Sequence, residues 1–100
     1  MPDPSVRAVA ILKAKRGLEQ ALLDFALEVA PEIRSVDGLR RLEISRSTVD
    51  SGELVLYYWW DSIAQSRSYV AGPLYLKIAP ELERLVQEHQ VLLADLISGQ

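Results

Sequence analysis

Residues 53–62 read Glu-Leu-Val-Leu-Tyr-Tyr-Trp-Trp-Asp-Ser, and they predict both a strand and the helix that follows it. Its first eight residues are mostly aliphatic and aromatic, a composition that favours a β-strand. Ser62 and Gln65 then fit a capping box, the pattern with which many helices begin. A strand that passes directly into a helix predicts a domain in which helices pack against a sheet.

The residues before this strand predict a strand, a helix and a second strand. Residues 6–14 are typical of a strand that ends at Lys15-Arg16-Gly17. Residues 18–33 have apolar side chains in steps of three and four, the period of a helix with one apolar face. These residues are Leu18, Leu22, Phe25, Val29 and Ile33. Pro31 should kink or end the helix. Residues 39–48 alternate like a half-exposed strand, and a short hairpin connection follows.

The residues after residue 62 predict a broken helix and a last strand. The helix should run to about Ala71, where Gly72-Pro73 breaks it. Residues 74–87 have a helical pattern interrupted at Pro80, which suits the first turn of a second piece. Residues 89–97 then read as the last strand. The order β-α-β-β-α-β predicts an α+β, ferredoxin-like plait with a four-stranded antiparallel sheet and helices on one face.

Length and composition predict one small domain. With 100 residues, the chain should form a single domain over residues 6–97, between a mobile lead-in at residues 1–5 and a tail at 98–100. Hydrophobic residues make up 49% of the chain, which is ample for a core. The net charge of −3 argues against nucleic acid or an anionic membrane as a partner.

The residue types that are missing restrict the chemistry. The sequence has no cysteine, which excludes disulfides and thiolate metal sites. Its single histidine, His89, leaves no histidine-rich metal site within one chain, so no metal is expected. The first residues show no export signal and no apolar run reaches about 18 residues, so a cytoplasmic location is expected.

Both faces of the predicted sheet are apolar. In residues 53–60 the even-numbered and the odd-numbered side chains are nearly all apolar, and residues 91–97 behave similarly. Since helices cover one face only, the other would form a larger apolar patch than monomers tolerate. We therefore expect a homodimer that packs sheet against sheet, with Trp59 in the interface. The alternative is a monomer whose loops or tail cover this face, for which the chain has little spare length.

Four short stretches resemble a known family. They are Lys13-Ala-Lys-Arg-Gly17 after the first strand, Val36-Asp-Gly-Leu-Arg40 before the second, Trp60 at the end of the third, and Ala71-Gly-Pro-Leu-Tyr75 after the capped helix. With the element order, they resemble the antibiotic biosynthesis monooxygenase domain of the dimeric α+β barrel superfamily, over roughly residues 6–97. The family includes oxygenases without metal or flavin that oxidise quinols or anthrones, and a branch that degrades heme.

The resemblance implies a function and also shows departures. It implies a cofactor-independent monooxygenase that oxidises a small aromatic, quinol- or anthrone-like molecule with O₂. Where family members often carry histidines, this chain has Tyr69 and Leu74. The heme-degrading branch combines an asparagine, a tryptophan and a ligating histidine, and this chain has no asparagine. Heme degradation is therefore disfavoured.

Five residues form the predicted site. Trp60 and Tyr69 are the predicted catalytic residues, Trp60 as the wall of an aromatic pocket and Tyr69 as a hydrogen-bond donor in the place of the family histidine. Tyr58 and Tyr75 are predicted to bind substrate, and Arg67 to attract an anionic one. Each also has a plainer interpretation: a core or interface tryptophan, tyrosines that cap the core, and a solvated arginine.

Other interpretations stay open. His89 could act as a general base, although a histidine that opens a strand is more often a surface residue. The chain could be a non-catalytic dimeric module that binds a small ligand, a function that the few polar groups at the expected pocket favour. It could also be an isomerase or cyclase on the same fold, since one fold hosts many reactions.

Overall fold

A computed structural model describes residues 5–95, which form four strands and three helices. In chain order these are β1 (Val6–Ala14), α1 (Glu19–Arg34), β2 (Leu39–Arg46), β3 (Glu53–Trp60), α2 (Ile63–Ala71), α3 (Pro73–Leu85) and β4 (Val86–Asp95). The strands form one antiparallel sheet in the order β2-β3-β1-β4. The predicted α+β, ferredoxin-like fold is therefore confirmed.

The core lies between the helices and one face of the sheet. In β1 every second side chain is buried, and the residues between them are half-buried. The buried set in β1 is Val6, Ala8, Ala10, Leu12 and Ala14. The helix α1 meets the core with Leu22, Ala26, Ala30 and Ile33. Phe25 and Val29, which the sequence pattern placed in the buried stripe, are only partly buried.

A glycine turn connects α1 to β2 and contacts α2. Gly38 has φ +87°, a conformation that side chains with a Cβ rarely adopt. Its carbonyl accepts a hydrogen bond of 2.8 Å from the N–H of Asp61 at the end of β3. A Cβ at Gly38 would also collide with the side chain of Gln65. The turn therefore fixes α2 against the start of β2.

The beginning of α2 and the break after it both agree with the sequence. The Ser62 hydroxyl accepts a hydrogen bond of 3.3 Å from the backbone N–H of Gln65 and donates one of 3.1 Å to its side chain. Gly72 ends α2, and Pro73 is the first residue of α3. A Cβ at Gly72 would lie 2.8 Å from the Ser68 carbonyl oxygen. The chain therefore changes direction here, and α3 folds back towards the sheet.

The interruption expected at Pro80 is wrong, whereas Pro31 lies in the last turn of α1, near the expected end of that helix. The helix α1 continues past Pro31 to Arg34, and α3 runs through Pro80 without interruption. Each proline removes one backbone N–H, so the carbonyl four residues earlier loses its partner. Those carbonyls belong to Leu27 and Leu76, residues that are 56% and 65% exposed. Water can therefore satisfy them, and the helices persist.

The last strand begins earlier than the pattern indicates. It starts at Val86, so His89 lies within β4 rather than at its beginning. Within residues 5–95, β4 pairs with β1 alone, and its Val91, Leu92 and Leu93 are 59%, 66% and 44% exposed. The expected end of the strand at residues 96–97, the tail at 98–100 and residues 1–4 of the expected lead-in lie outside the described residues.

Candidate functional site

A cavity of about 400 Å³ lies between the helix-covered face of the sheet and the helices. One wall is the face of the sheet that carries Tyr58 and Trp60 of β3, and the opposite wall includes Phe25 and Val29 of α1. This explains why those two α1 residues are only partly buried. A volume of this size is within the range of sites that hold small organic molecules.

Small side chains make the floor of this cavity. Ala8 and Ala10 of β1 and Ala26 of α1 all line it, although each is at most 5% exposed. An alanine has no atom beyond Cβ, so alanines on β1 and α1 leave space between the strand and the helix. The sequence therefore accounts for the cavity, because alanines occupy positions that face the core.

Four aromatic rings gather along one side of the cavity. Tyr58 stacks on Trp60 with ring centres 6.2 Å apart, because residues two apart in a strand share a face. The centre of the Tyr69 ring, on α2, lies 5.5 Å from that of Trp60 and 6.2 Å from that of Tyr58. Tyr75, in the first turn of α3, meets Tyr69 edge-on at 5.5 Å. The break at Gly72-Pro73 thus brings a tyrosine from each side of it into contact.

The hydroxyls of Tyr58 and Tyr69 stay protonated at neutral pH. Burial raises the pKa of Tyr58 well above its usual 10, and the charge of Tyr69 and hydrogen bonding with its hydroxyl raise it further. Burial also raises the pKa of Tyr69, to about 12, although hydrogen bonding with Tyr58 lowers it. Both groups can therefore donate a hydrogen bond to a ligand, and neither can act as a base near neutrality.

Within the site, Trp60 is buried whereas Arg67 is exposed. Trp60 is only 1% exposed and packs against Tyr58 and Tyr69. This burial favours a wall of the cavity over a residue that reaches far into it. Arg67 is exposed on α2 and lines the cavity, next to the buried Ser66. The five predicted site residues therefore line one cavity, and the roles assigned to them stay predictions.

His89 is exposed, as the sequence analysis expected of a surface histidine, and it also lines the cavity. It lies across the sheet from Leu12, on the helix-covered face of β4, and lines the cavity together with Val91 and Leu93. The signal was present, since His89, Val91 and Leu93 are two residues apart and so share a face. Its place in the cavity lining was not predicted, because the strand was expected to begin at His89.

The opposite face of the sheet, which we call the free face, carries Trp59. Its ring lies beneath the guanidinium of Arg7, with Cζ 4.1 Å from the ring centre, and Arg40 lies at 5.3 Å. These distances suit cation–π contacts. The indole Nε1 of Trp59 is buried and has no hydrogen-bond partner among the described residues. Trp59 thus takes no part in the cavity.

Within residues 5–95, histidine and acidic side chains form no group of three or more placed to hold a metal ion. Of the three helices in this part of the chain, none combines the length and the apolar character needed to cross a membrane.

Comparisons with known proteins agree with this fold. The family model described as antibiotic biosynthesis monooxygenase matches residues 5–81, more than half of the chain. None of the curated proteins matches the chain. Among solved structures, PA3566 from Pseudomonas aeruginosa superposes with a TM-score of 0.87 at 15% identity, covering 98% of this chain and 99% of that one. Rv0793 from Mycobacterium tuberculosis gives 0.85 at 22% identity, covering 95% and 97%. A candidate antibiotic biosynthesis monooxygenase from Deinococcus radiodurans gives 0.86 at 18% identity, covering 95% of each chain.

Proposed function

Because the chain belongs to the antibiotic biosynthesis monooxygenase family, we propose that it oxidises a small, flat aromatic molecule of the quinol or anthrone type with O₂. The observation that carries this proposal is the cavity of about 400 Å³, whose lining is almost entirely apolar and includes four aromatic rings. Such a lining suits a planar, poorly soluble substrate and excludes most water. The few side chains with polar groups in it are three tyrosines, Trp60, Ser66, Arg67 and His89.

In this mechanism the substrate itself supplies the electrons. A phenol or enol that loses its proton becomes an electron-rich anion that can reduce O₂. For an anthrone, the methylene carbon becomes a carbonyl: one oxygen atom of O₂ enters the product and the other leaves as water with the two methylene hydrogens. The protein would hold the ring, stabilise the anion and keep water out.

The tyrosine hydroxyls are suited to hold that anion. Burial keeps Tyr58 and Tyr69 in the protonated, donating form. Hydrogen bonds to a developing oxyanion count for more in an apolar cavity than in water. Arg67 adds a positive charge to the lining, where it would favour an anionic substrate. Trp60 would hold the ring by packing.

An oxygen electrode tests this proposal. We expect the protein to accelerate O₂ uptake with an anthrone such as dithranol, with one O₂ consumed per anthrone. Tyr69→Phe should lower kcat more than it raises KM, because a hydroxyl that helps mainly in the transition state affects turnover. Tyr57→Phe is the matched control, since Tyr57 is the neighbouring tyrosine of β3 that faces away from the cavity. Equal losses in both variants would contradict the assignment.

A non-catalytic ligand-binding module is the second candidate. The scarcity of polar groups in the cavity supports it, because binding an apolar ring needs few of them. This candidate predicts that dithranol quenches tryptophan fluorescence while O₂ uptake stays at the rate without protein. The first candidate requires both quenching and uptake.

We also propose that a second copy of the chain covers the free face. Half-buried apolar side chains occupy its centre on β1 and β3, and Leu92 of β4 is 66% exposed. Across one end of the face the register aligns Arg41, Trp59 and Arg7. Across the other end it aligns Glu53, Lys13 and Glu88.

These two rows carry opposite net charge. A two-fold axis perpendicular to the strands would place the acidic row of one copy over the basic row of the other. Sedimentation equilibrium should therefore give twice the chain mass at micromolar concentration. A species of single-chain mass at that concentration would overturn this part of the proposal.

A further inference from the structure

We propose that His89 takes the proton from a hydroxyl of the bound aromatic substrate and passes it to solvent. The inference rests on the proposed function in one respect, since it needs a ligand with an ionisable hydroxyl. His89 lies beyond residues 5–81, the part of the chain that matches the family model. The role is therefore read from this chain's own geometry.

The position of His89 between two cavities is the first argument. A second cavity of about 450 Å³, with a more polar lining, adjoins the aromatic one on the α3 side, and we call it the outer groove. Tyr75, Leu82 and His89 line both. Of these three, only His89 belongs to a residue type that exchanges a proton near neutral pH. A proton held there can thus leave on the side away from the substrate.

The lack of another base in the aromatic cavity is the second argument. Its described lining contains no aspartate, glutamate, lysine or cysteine. Arg67 is a permanent cation, and Tyr58 and Tyr69 hold their protons too tightly to accept one. A substrate hydroxyl in this cavity therefore has His89 as its protein acceptor.

The step itself is a single proton transfer. The substrate O–H bond breaks, an N–H bond forms on the imidazole, and the electron pair stays on the substrate oxygen. Tyrosine hydroxyls then donate to this oxyanion. The imidazolium gives its proton to water in the outer groove, so the histidine is neutral again before the next substrate binds.

Charged groups lie on both sides of His89. Glu83 of α3 and Glu88 of β4 line the outer groove, on the side to which the proton would leave. On the cavity side, Arg67 of α2 opposes a positive charge on His89 but stabilises the substrate anion. On β1, Lys13 pairs across the sheet with Glu88 and reduces the effect of that carboxylate. After the transfer, the substrate oxyanion therefore lies in the aromatic cavity and the positively charged imidazolium of His89 faces the outer groove.

The test follows the ionisation of bound 4-nitrophenol, a phenol whose anion is yellow. The probe need not be oxidised, so the readout does not depend on the proposed monooxygenase activity. We expect the wild-type protein to bind this probe largely as the phenolate at a pH where the free probe is mostly neutral. In His89→Gln the ratio of bound phenolate to bound phenol should fall by about tenfold, one pKa unit of the probe. The double variant His89→Gln/Gln90→His is the matched control. It keeps the composition but moves the imidazole to the opposite face of β4, so it should behave like His89→Gln.

Each outcome decides the matter. An unchanged ratio in His89→Gln overturns the proposal, as does a wild-type ratio in the double variant or failure of the probe to bind. A fall in both variants, with unfolding midpoints like that of the wild type, supports it. This result stands even if the wild-type protein consumes no O₂, in which case only the monooxygenase proposal fails. If O₂ uptake occurs, His89→Gln should lower kcat and leave KM nearly unchanged.

Discussion

Filling the floor of the cavity should stabilise the protein, whereas the same change elsewhere on β1 should destabilise it. Ala10 is only 5% exposed, yet it lines the cavity of about 400 Å³. Ala10→Val adds two carbon atoms that project into this space. At about 0.8 kcal/mol for each buried methylene, the gain is at most about 1.6 kcal/mol. Because the cavity has an opening, part of the new surface stays wet and the gain should be smaller.

Ala14→Val provides the control within the same strand. Ala14 is 4% exposed, faces the same side of the sheet and does not line the cavity. Adding two carbons to a packed site costs about 1–3 kcal/mol. Valine favours a β-strand more than alanine does. This gain is the same in both variants, so it cancels when their free energies of unfolding are compared. With a gain of about 1 kcal/mol at Ala10 and a cost of about 1–3 kcal/mol at Ala14, the two variants should differ by about 2–4 kcal/mol in the free energy of unfolding.

Urea unfolding and thermal melting measure this difference. For a domain of this size 1 kcal/mol corresponds to about 4–8 °C in Tm, so the two variants should separate by roughly 10 °C or more. Ala10→Val should also weaken the binding of 4-nitrophenol, and Ala14→Val should not. If both variants lose stability equally, the space beside Ala10 is already filled, and the candidate site would have to be abandoned.

Three further predictions concern other parts of the molecule. Tyr57→Asp should convert the expected dimer to a single chain, because it buries an unpaired carboxylate in the free face; an unchanged mass in sedimentation would contradict this. The raised pKa values of Tyr58 and Tyr69 favour folding below about pH 10, and this contribution should be lost as the pH rises through about 12. Tyr69→Phe should therefore flatten the fall in stability over that interval, and an unaltered pH profile would argue against the burial. Gly38→Ala should lower stability by at least about 1 kcal/mol, since φ is +87° and Gln65 fills the space; a melting temperature equal to that of the wild type would contradict this.

The order of the elements could be predicted from sequence because local signals agree with it. The period of two in β3, the capping box at Ser62 and the break at Gly72 each depend on residues close together in the chain. Pro80 misled the prediction, because its effect depends on whether water can reach the freed carbonyl. That is a property of the folded molecule, in which Leu76 is 65% exposed.

The candidate site was predictable in its aromatic residues but not in its shape. Tyr58, Trp60 and Tyr69 could be placed together from the strand period and from the way α2 must fold back over the sheet. The floor could not be predicted, since an alanine at a core position usually means tight packing. Whether Ala8 and Ala10 leave a gap depends on which α1 residues lie opposite them, and one of these is another alanine, Ala26.

Because tyrosine and tryptophan each occur as an adjacent pair in β3, this strand supplies aromatic rings to both faces of the sheet. Successive side chains point to opposite faces, so the sequence Tyr57-Tyr58-Trp59-Trp60 gives each face one tyrosine and one tryptophan. Tyr58 and Trp60 build the cavity, while Tyr57 and Trp59 belong to the free face. A shift of one residue in the pairing of β3 would exchange the two sets and still leave one ring of each type on either face. Such a shift would leave β1 in place, with Ala8 and Ala10 still facing the cavity and Val9 and Ile11 the free face, but it would move the buried Leu54 and Leu56 of β3 out of the core. The alternation of small and large residues in β1 therefore determines which face of the sheet forms the cavity and which is the free face.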